Sequence, residues 1–457
     1  MNAKLKKQLG RLFKYFTLDG MKASLERKRA RKRKKNPPGL DAYAARTTIA
    51  KYMEESFKSA TREHGRSPYY VPKSANPIQL DDLPVKLIAF YLPQYHPIPE
   101  NDRWWGAGFT EWTNVAKARP QFVGHYQPHV PGELGFYDLR LIDTIRQQAE
   151  LANHYGVHGF CFYFYWFNGK RLLERPIEIF LENKDISINF CFCWANENWT
   201  RRWDGAEHDV LMHQDYSAED DIEFIKEASK AFSDPRYIRI GNLPVLLIYR
   251  AANFPNIRKT ASRWRSFMLE AGYEGIYLIS AESFERINPD MNGLDAAVEF
   301  PPHQTHLPRV TSGLNIINAA YSGEVYDYSE LPESFGKKEA SDYELFKTVM
   351  PSWDNEPRKP GKGFSFINAT PPNYAKWLDN AIKITLKKPP EKRLLFINAW
   401  NEWGEGTHLE PDLWNGYAYL QATADQLKKN RIRSNRVTKT NKDPQTSEFT
   451  NEHESSS

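Results

Sequence analysis

Leu394-Leu395-Phe396-Ile397-Asn398-Ala399-Trp400-Asn401-Glu402-Trp403-Gly404-Glu405-Gly406-Thr407-His408-Leu409-Glu410-Pro411-Asp412 joins an apolar run to a turn dense in aromatic, amide and acidic side chains. The run reads as a strand buried on both faces, as in a parallel sheet covered by helices. The turn after it presents Glu402 and Glu405 three residues apart, flanked by Trp400, Trp403, Gly404 and Gly406. Glycine lets the backbone turn tightly and approach a ligand. Two carboxylates beside flat apolar rings are what acid/base chemistry on a sugar requires.

Seven further apolar, β-rich runs precede this one, at 86–91, 157–165, 188–194, 244–249, 276–280, 296–300 and 347–352, with the eighth at 393–399. Helical patterns at 138–155, 218–233, 257–271, 372–387 and 416–428 fall mostly between or after them. The alternation predicts an α/β fold, a (β/α)8 TIM-like barrel over 85–428. A doubly wound open sheet is the alternative, but that fold would offer a glycine-rich phosphate loop after its first strand, and none follows Tyr91.

In such a barrel, residues just after the strands face one cleft. The first strand is followed by Tyr91, Gln94 and His96, then Trp105, Glu111 and Trp112. Trp166 follows the second; Trp194, Asn196, Glu197 and Trp199 follow the third; Tyr249 closes the fourth. Glu299 ends the sixth, Trp353 and Asp354 follow the seventh, and Asn401 and Trp403 accompany the two glutamates after the eighth. Amides and carboxylates suit sugar hydroxyls, and ring faces suit stacking. We therefore take Glu402 and Glu405 as the catalytic pair and the others as substrate-binding candidates. Any one of them could instead be a buried structural residue. Histidines are present, but none stands in HExxH or a similar ligand spacing, so neither metal nor cofactor is expected. A GxSxG nucleophile elbow is also missing.

Charge separates the tails from the middle. The chain of 457 residues has a formal net charge of +5, yet residues 1–37 hold 14 Lys/Arg against 2 Asp/Glu. The rest is mildly acidic, which makes nucleic acid a poor partner. Within 1–38, Leu5, Leu9, Leu12, Phe13 and Phe16 recur at helical spacing and a run from Arg27 to Lys35 follows. Such a segment either lies on an anionic membrane surface or stays a solvated basic tail. Residues 39–84 read as a connecting arm and 429–457 as a polar, disordered tail. Cys161, Cys191 and Cys193 sit in apolar runs without a CxxC pair and read as buried reduced thiols. No apolar stretch reaches about 18 residues, and no signal peptide is evident. The expected location is therefore the bacterial cytoplasm, at the inner membrane face if the basic segment binds there.

The segment Trp400-Asn401-Glu402-Trp403-Gly404-Glu405-Gly406-Thr407 resembles the catalytic motif of glycoside hydrolase family 99. Residues 89–96, 104–114, 194–199 and 351–355 are similar to a related bacterial branch called WbsX-like, found among surface-polysaccharide assembly proteins. The resemblance covers roughly 85–428. It implies a barrel and a retaining mechanism at an α-mannoside-type bond, in which Glu402 assists the sugar 2-hydroxyl as it attacks the anomeric carbon. Glu405 would then protonate the leaving oxygen and activate water. The hydrolase motif usually carries His where this chain has Gly404, a departure that bears on specificity. Three readings follow: an endo-hydrolase of mannose-containing glycans, a transferase using the same site with a sugar acceptor, and a carbohydrate-binding scaffold without catalysis.

Overall fold

All eight apolar runs become strands of one sheet in the computed structural model, which describes residues 42–61, 65–80, 83–201, 206–336 and 341–440. They are β1 (Lys86–Tyr91), β2 (Val157–Phe167), β3 (Asn189–Trp194), β4 (Leu243–Ile248), β5 (Tyr277–Glu282), β6 (Ala296–Glu299), β7 (Leu345–Val349) and β8 (Leu394–Ile397). Each pairs in parallel with its neighbours in sequence. β1 pairs with β2 on one side, Leu87 opposite Val157, and with β8 on the other, Lys86 opposite Leu394. The sheet is thus a closed eight-stranded barrel.

Helices α1 (Ala42–Thr61), α2 (Pro99–Trp105), α3 (Glu111–Lys117), α4 (Ile142–His154), α5 (Arg175–Glu182), α6 (Ala218–Ser229), α7 (Ile257–Glu270), α8 (Leu331–Gly336), α9 (Pro371–Thr385) and α10 (Ala418–Thr440) complete the main architecture. α4 to α7 cover the first four crossovers, α8 and α9 the last two, and α10 follows β8. Local chemistry sets several starts. Ser217 caps α6 by accepting from the Asp220 amide, and Thr370 caps α9, which opens with Pro371 and Pro372. None of the helices in the described residues is long and apolar enough to cross a membrane.

The pleat decides what each strand residue meets. Phe90 points inward, with its ring centroid 4.9 Å from Phe300 and 5.9 Å from Tyr163. Its neighbour Tyr91 points outward and donates its hydroxyl to Gln148 of α4 at 2.6 Å. On β3, Cys191 and Cys193 pair with Cys161 and Tyr163 of β2 and share their face, whereas Trp194 turns out and stacks on Phe224 of α6 at 3.9 Å. Burial, followed by its two cysteine neighbours, pushes the Cys161 thiol well above its ordinary range, and all three cysteines are buried and free of disulfides.

Two expectations about the ends need correction. The arm contains helix α1, and its later part is seated on the barrel: Ser67 and Val71 donate backbone N–H groups to the carbonyls of Trp414 and Asn415, and Ile78 to that of His154. The expected disorder from 429 is contradicted over 429–440, because α10 runs on to Thr440. Its Asn430 is fully buried and donates to Asp379 of α9 at 2.9 Å, which anchors a stretch whose composition alone reads as polar tail. The basic segment 1–38 and residues 441–457 lie outside the described residues.

Candidate active site

A cavity of about 510 Å³ opens at the C-terminal end of the barrel, and every strand feeds it. Leu92 and Gln94 follow β1, Tyr163 and Tyr165 end β2, Ala195 and Glu197 follow β3, and Tyr249 follows β4. Phe284, Phe300 and Trp353 follow β5, β6 and β7, and Glu402 and Glu405 follow β8.

The turn carrying the two glutamates is held from several sides. Asn401 and Glu402 pair antiparallel with His408 and Thr407, and a single 3-10 turn, Trp403–Glu405, lies between them. Asn401 Oδ1 accepts from the Leu92 N–H at 2.7 Å and its Nδ2 donates to the Leu92 carbonyl at 3.0 Å. The Tyr95 hydroxyl donates to the Asn401 carbonyl at 2.5 Å and accepts from the Trp403 N–H at 3.2 Å. Gly406 has φ +60°, and a β-carbon there would lie 2.8 Å from Asp354 Cβ, so conformation and space both demand glycine. Asp354 in turn donates its N–H to the Glu405 carbonyl at 2.6 Å. Its carboxylate accepts from Gln127 at 2.7 Å and pairs with His125 at 2.5 Å. Burial, the largest influence, would raise the Asp354 carboxyl, but His125, with Gln127 and His129, together hold it below its ordinary value.

One buried guanidinium ties the acids together. Arg358 donates Nη2 to Glu402 at 2.8 Å, pairs through Nη1 with Glu405 at 2.7 Å, and donates Nε to Glu111 at 2.8 Å. The Glu111 and Glu402 side chains are 0% and 5% exposed; that of Glu405 is 23% exposed and reaches the cavity. Burial is the largest influence on Glu402; Arg358 draws it down, Glu405 and Glu111 push it up, and the carboxyl ends raised to about 8. Glu111 also explains Gly404. A β-carbon at 404 would sit 1.9 Å from Glu111 Oε1, so a carboxylate from α3 fills the room a side chain would take.

With this geometry in place, comparison with known proteins identifies the family. Residues 87–423 match the family described as glycosyltransferase WbsX. The chain belongs to the WbsX family. It is 50% identical over 348 residues to the uncharacterized protein WxcX of Xanthomonas campestris pv. campestris, which takes in 76% of this chain and 50% of that protein. The chain thus spans about half the length of the curated relatives it matches. Among solved structures, a GH99 endo-alpha-mannosidase from Bacteroides thetaiotaomicron shares 15% identity, covers 78% of this chain and 99% of its own, and has a TM-score of 0.48. A glycoside hydrolase-like protein shares 15% identity over 79% of this chain and 98% of its own, with a TM-score of 0.49.

Of the residues expected at the WbsX-family site, the structure brings Gln94, Trp105, Glu197, Trp199, Tyr249, Trp353, Glu402 and Glu405 to the cavity wall. Others stand just behind it. Asn401, Asp354 and Glu111 brace the turn that carries the two glutamates, as described. Trp403 is buried and stacks on His408 at 3.7 Å while donating Nε1 to Glu410 at 2.6 Å, and Trp112 packs against Trp403 and Tyr95. Asn196 spends its amide on Arg250 and Tyr216. The remaining five correct the strand-end rule. Tyr91, Trp166, Trp194 and Glu299 sit on the outer face of their strands; Trp166 donates to Asp220 of α6 at 2.8 Å and Glu299 pairs with Lys347 at 2.8 Å. His96 is buried away from the cavity, and burial lowers its pKa.

Sequence reasoning missed Arg358, Tyr163 and Tyr165. The signal for Arg358 is the acidic cluster itself, since buried carboxylates such as Glu111 and Glu402 require a cation near them. Asn101 and Trp353 also border the cavity, and among the described residues the Asn101 amide and the Trp353 Nε1 have no hydrogen-bond partner. His129, His408 and Asp412 each bring one ligand atom within 4.8 Å of the others, a spacing a metal ion could use. The two rings already hydrogen-bond each other at 2.9 Å, and His408 Nδ1 lies 2.8 Å from the Glu410 carbonyl. This group lies behind Trp403, outside the cavity.

Proposed function

We propose that the cavity breaks or transfers a glycosidic bond with retention, using Glu402 and Glu405, on a poly- or oligosaccharide of α-mannoside type. The observation that carries this reading is the pair's position. Both carboxylates are held on one guanidinium at the mouth of the barrel, among Trp105, Trp199 and Trp353. Rings to stack on pyranose faces, with Gln94, Glu197 and Asn198 on the same wall for hydroxyls, suit a sugar. A raised Glu402 pKa makes that residue a stronger base toward a hydroxyl once it has lost its proton. Glu405, nearer solvent, is placed to serve the leaving oxygen and the incoming group.

Hydrolysis and transfer share the first half of this chemistry and differ in whether water or a sugar hydroxyl completes it. The family description favours transfer. The site itself favours a neutral glycan donor, because three carboxylates around Arg358 repel a diphosphate at the reacting centre and welcome developing positive charge. Mass spectrometry of mannose-rich oligosaccharides incubated with the protein, with and without sugar acceptors but without any activated donor, tests the reading. Shortened or recombined glycans support it; activity only with a nucleotide or lipid-linked donor overturns it.

The basic segment 1–37 is read as a contact for an anionic membrane surface at the cytoplasmic face. Helix α1, which follows it, leaves Ile49, Met53 and Phe57 exposed on one stripe, as that reading requires. Sedimentation with anionic liposomes, with and without residues 1–37, checks it; equal partitioning of the two forms removes it.

A further inference from the structure

We propose that Glu111 is a third working carboxylate of this site: by sharing Arg358 with Glu402 and Glu405 it obliges the cluster to keep a proton, and by filling the space beside Gly404 it fixes residue 404 as glycine. The inference deepens the reading above. Its tests are chosen so that they decide even if no glycan is turned over.

The geometry comes first. A guanidinium is planar, with its donors in a fixed fork. Here Nε, Nη1 and Nη2 each serve a different carboxylate, at 2.8, 2.7 and 2.8 Å. Arg358 itself is 13% exposed, and the Glu111 side chain is fully buried. Two buried carboxylates and a third at the cavity wall share one largely buried cation, which leaves an excess of two negative charges when all three are ionised, and the site relieves that by binding protons. Glu111 Oε1 accepts from Arg358 and from Asn114 Nδ2 at 3.3 Å, while Oε2 has no partner among the described residues. The other charged and titratable groups facing the cluster are Tyr95 after β1, Tyr163 and Tyr165 on β2, His303 after β6 and Lys359 beside Arg358. The three tyrosines are all driven up by burial first and by these carboxylates after it, so they remain neutral and do not neutralise the cluster.

Glu111 therefore acts through its neighbours. It is a positioning residue: it fixes the Nε end of Arg358, which leaves the other two donors aimed at the pair. It also sets the cluster's proton count, and so the pH at which Glu402 becomes a base. Removing its charge in Glu111→Gln keeps the shape and takes one anion away, so the Glu402 proton must leave at lower pH. Gly404 is the steric half of the same arrangement, because a β-carbon there also falls 3.0 Å from Arg358 Nε.

Two measurements on the full chain test this. The first is infrared titration of the protonated-carboxyl stretch in carbon-13 glutamate-labelled protein. Wild type should show a carboxyl that keeps its proton at neutral pH and is absent in Glu402→Gln. Its midpoint should fall by about one pH unit or more in Glu111→Gln. An unchanged midpoint overturns the proposal. The second is a thermal-unfolding cycle. Gly404→Ala should lower the melting temperature in wild type much more than in a Glu111→Ala background, where the carboxylate no longer occupies the space and only the 3.0 Å approach to Arg358 Nε remains. Equal losses in both backgrounds overturn the steric half. Glycan turnover enters neither readout, so inactivity toward mannosides would count against the proposed function and leave this inference standing.

Discussion

The side-chain amide of Asn401 pairs with the backbone of Leu92 as a strand residue would, accepting at 2.7 Å and donating at 3.0 Å. It joins the exit of the eighth strand to the exit of the first at the point where the barrel closes. Asn401→Ala leaves a buried N–H and a buried carbonyl unpaired, which should cost about 2–4 kcal/mol in denaturant unfolding. Turnover should fall with it, because Glu402 is the next residue. Full stability in the variant would show that the pairing is not needed.

Glu405→Gln and Glu402→Gln should each lower turnover by at least about a hundredfold while circular dichroism and oligomeric state stay as in wild type. Near-normal rates in either variant remove that residue from the chemistry.

The raised pKa of Glu402 predicts a pH signature in stability. Its folded-state value of about 8 stands above the ordinary 4.5, so the folded protein holds a proton that the unfolded chain releases. The contribution is fully present below about pH 4.5 and is lost as pH rises through about 8. Melting temperatures of wild type and Glu402→Gln, compared from pH 5 to 8.5, should diverge progressively in favour of the variant. Parallel curves would argue against a retained proton.

Asn101 is fully buried beside the cavity with its amide unpaired, so Asn101→Ala breaks no hydrogen bond among the described residues and should cost no more than about 1 kcal/mol. Substrate binding should weaken by roughly tenfold, read as KM with kcat little changed. A stability loss without a KM effect would make the residue purely structural.

Trp194 and Trp199 make a contrasting pair five residues apart. Trp194 is 0% exposed and stacked between α6 and the barrel, so Trp194→Ala should destabilise by about 3–5 kcal/mol. Trp199 borders the cavity, and Trp199→Ala should act on glycan binding, measured by titration calorimetry or KM. The reverse pattern would mean the two walls are misassigned.

That contrast shows how much of the molecule could be read from sequence. The eight strands were legible because each is a short apolar run set apart from its neighbours by helical or loop-forming sequence. Their ends were legible to within two or three residues. The face of each strand was not, because period-two alternation is invisible where both faces are apolar. The result is a miss by a single position at four strand ends: Tyr91, Trp166, Trp194 and Glu299 face the helices, while the adjacent Leu92, Tyr165, Ala195 and Phe300 face the cavity. The glutamate pair was legible from its motif, but its cation was not. Arg358 stands nine residues past β7, in a loop whose path no local pattern fixes. Gly404 looked like the loss of a side chain; Glu111, almost three hundred residues earlier, is what occupies the room.

The order of the strands has a temporal meaning. The glutamate pair hangs from the last strand, and the loop carrying Arg358 precedes that strand by one helix. During synthesis, seven strands, the aromatic wall and the guanidinium all leave the ribosome before either acid does. Until the eighth strand emerges and pairs with β7 and β1, the ring cannot close and neither acid can meet Arg358.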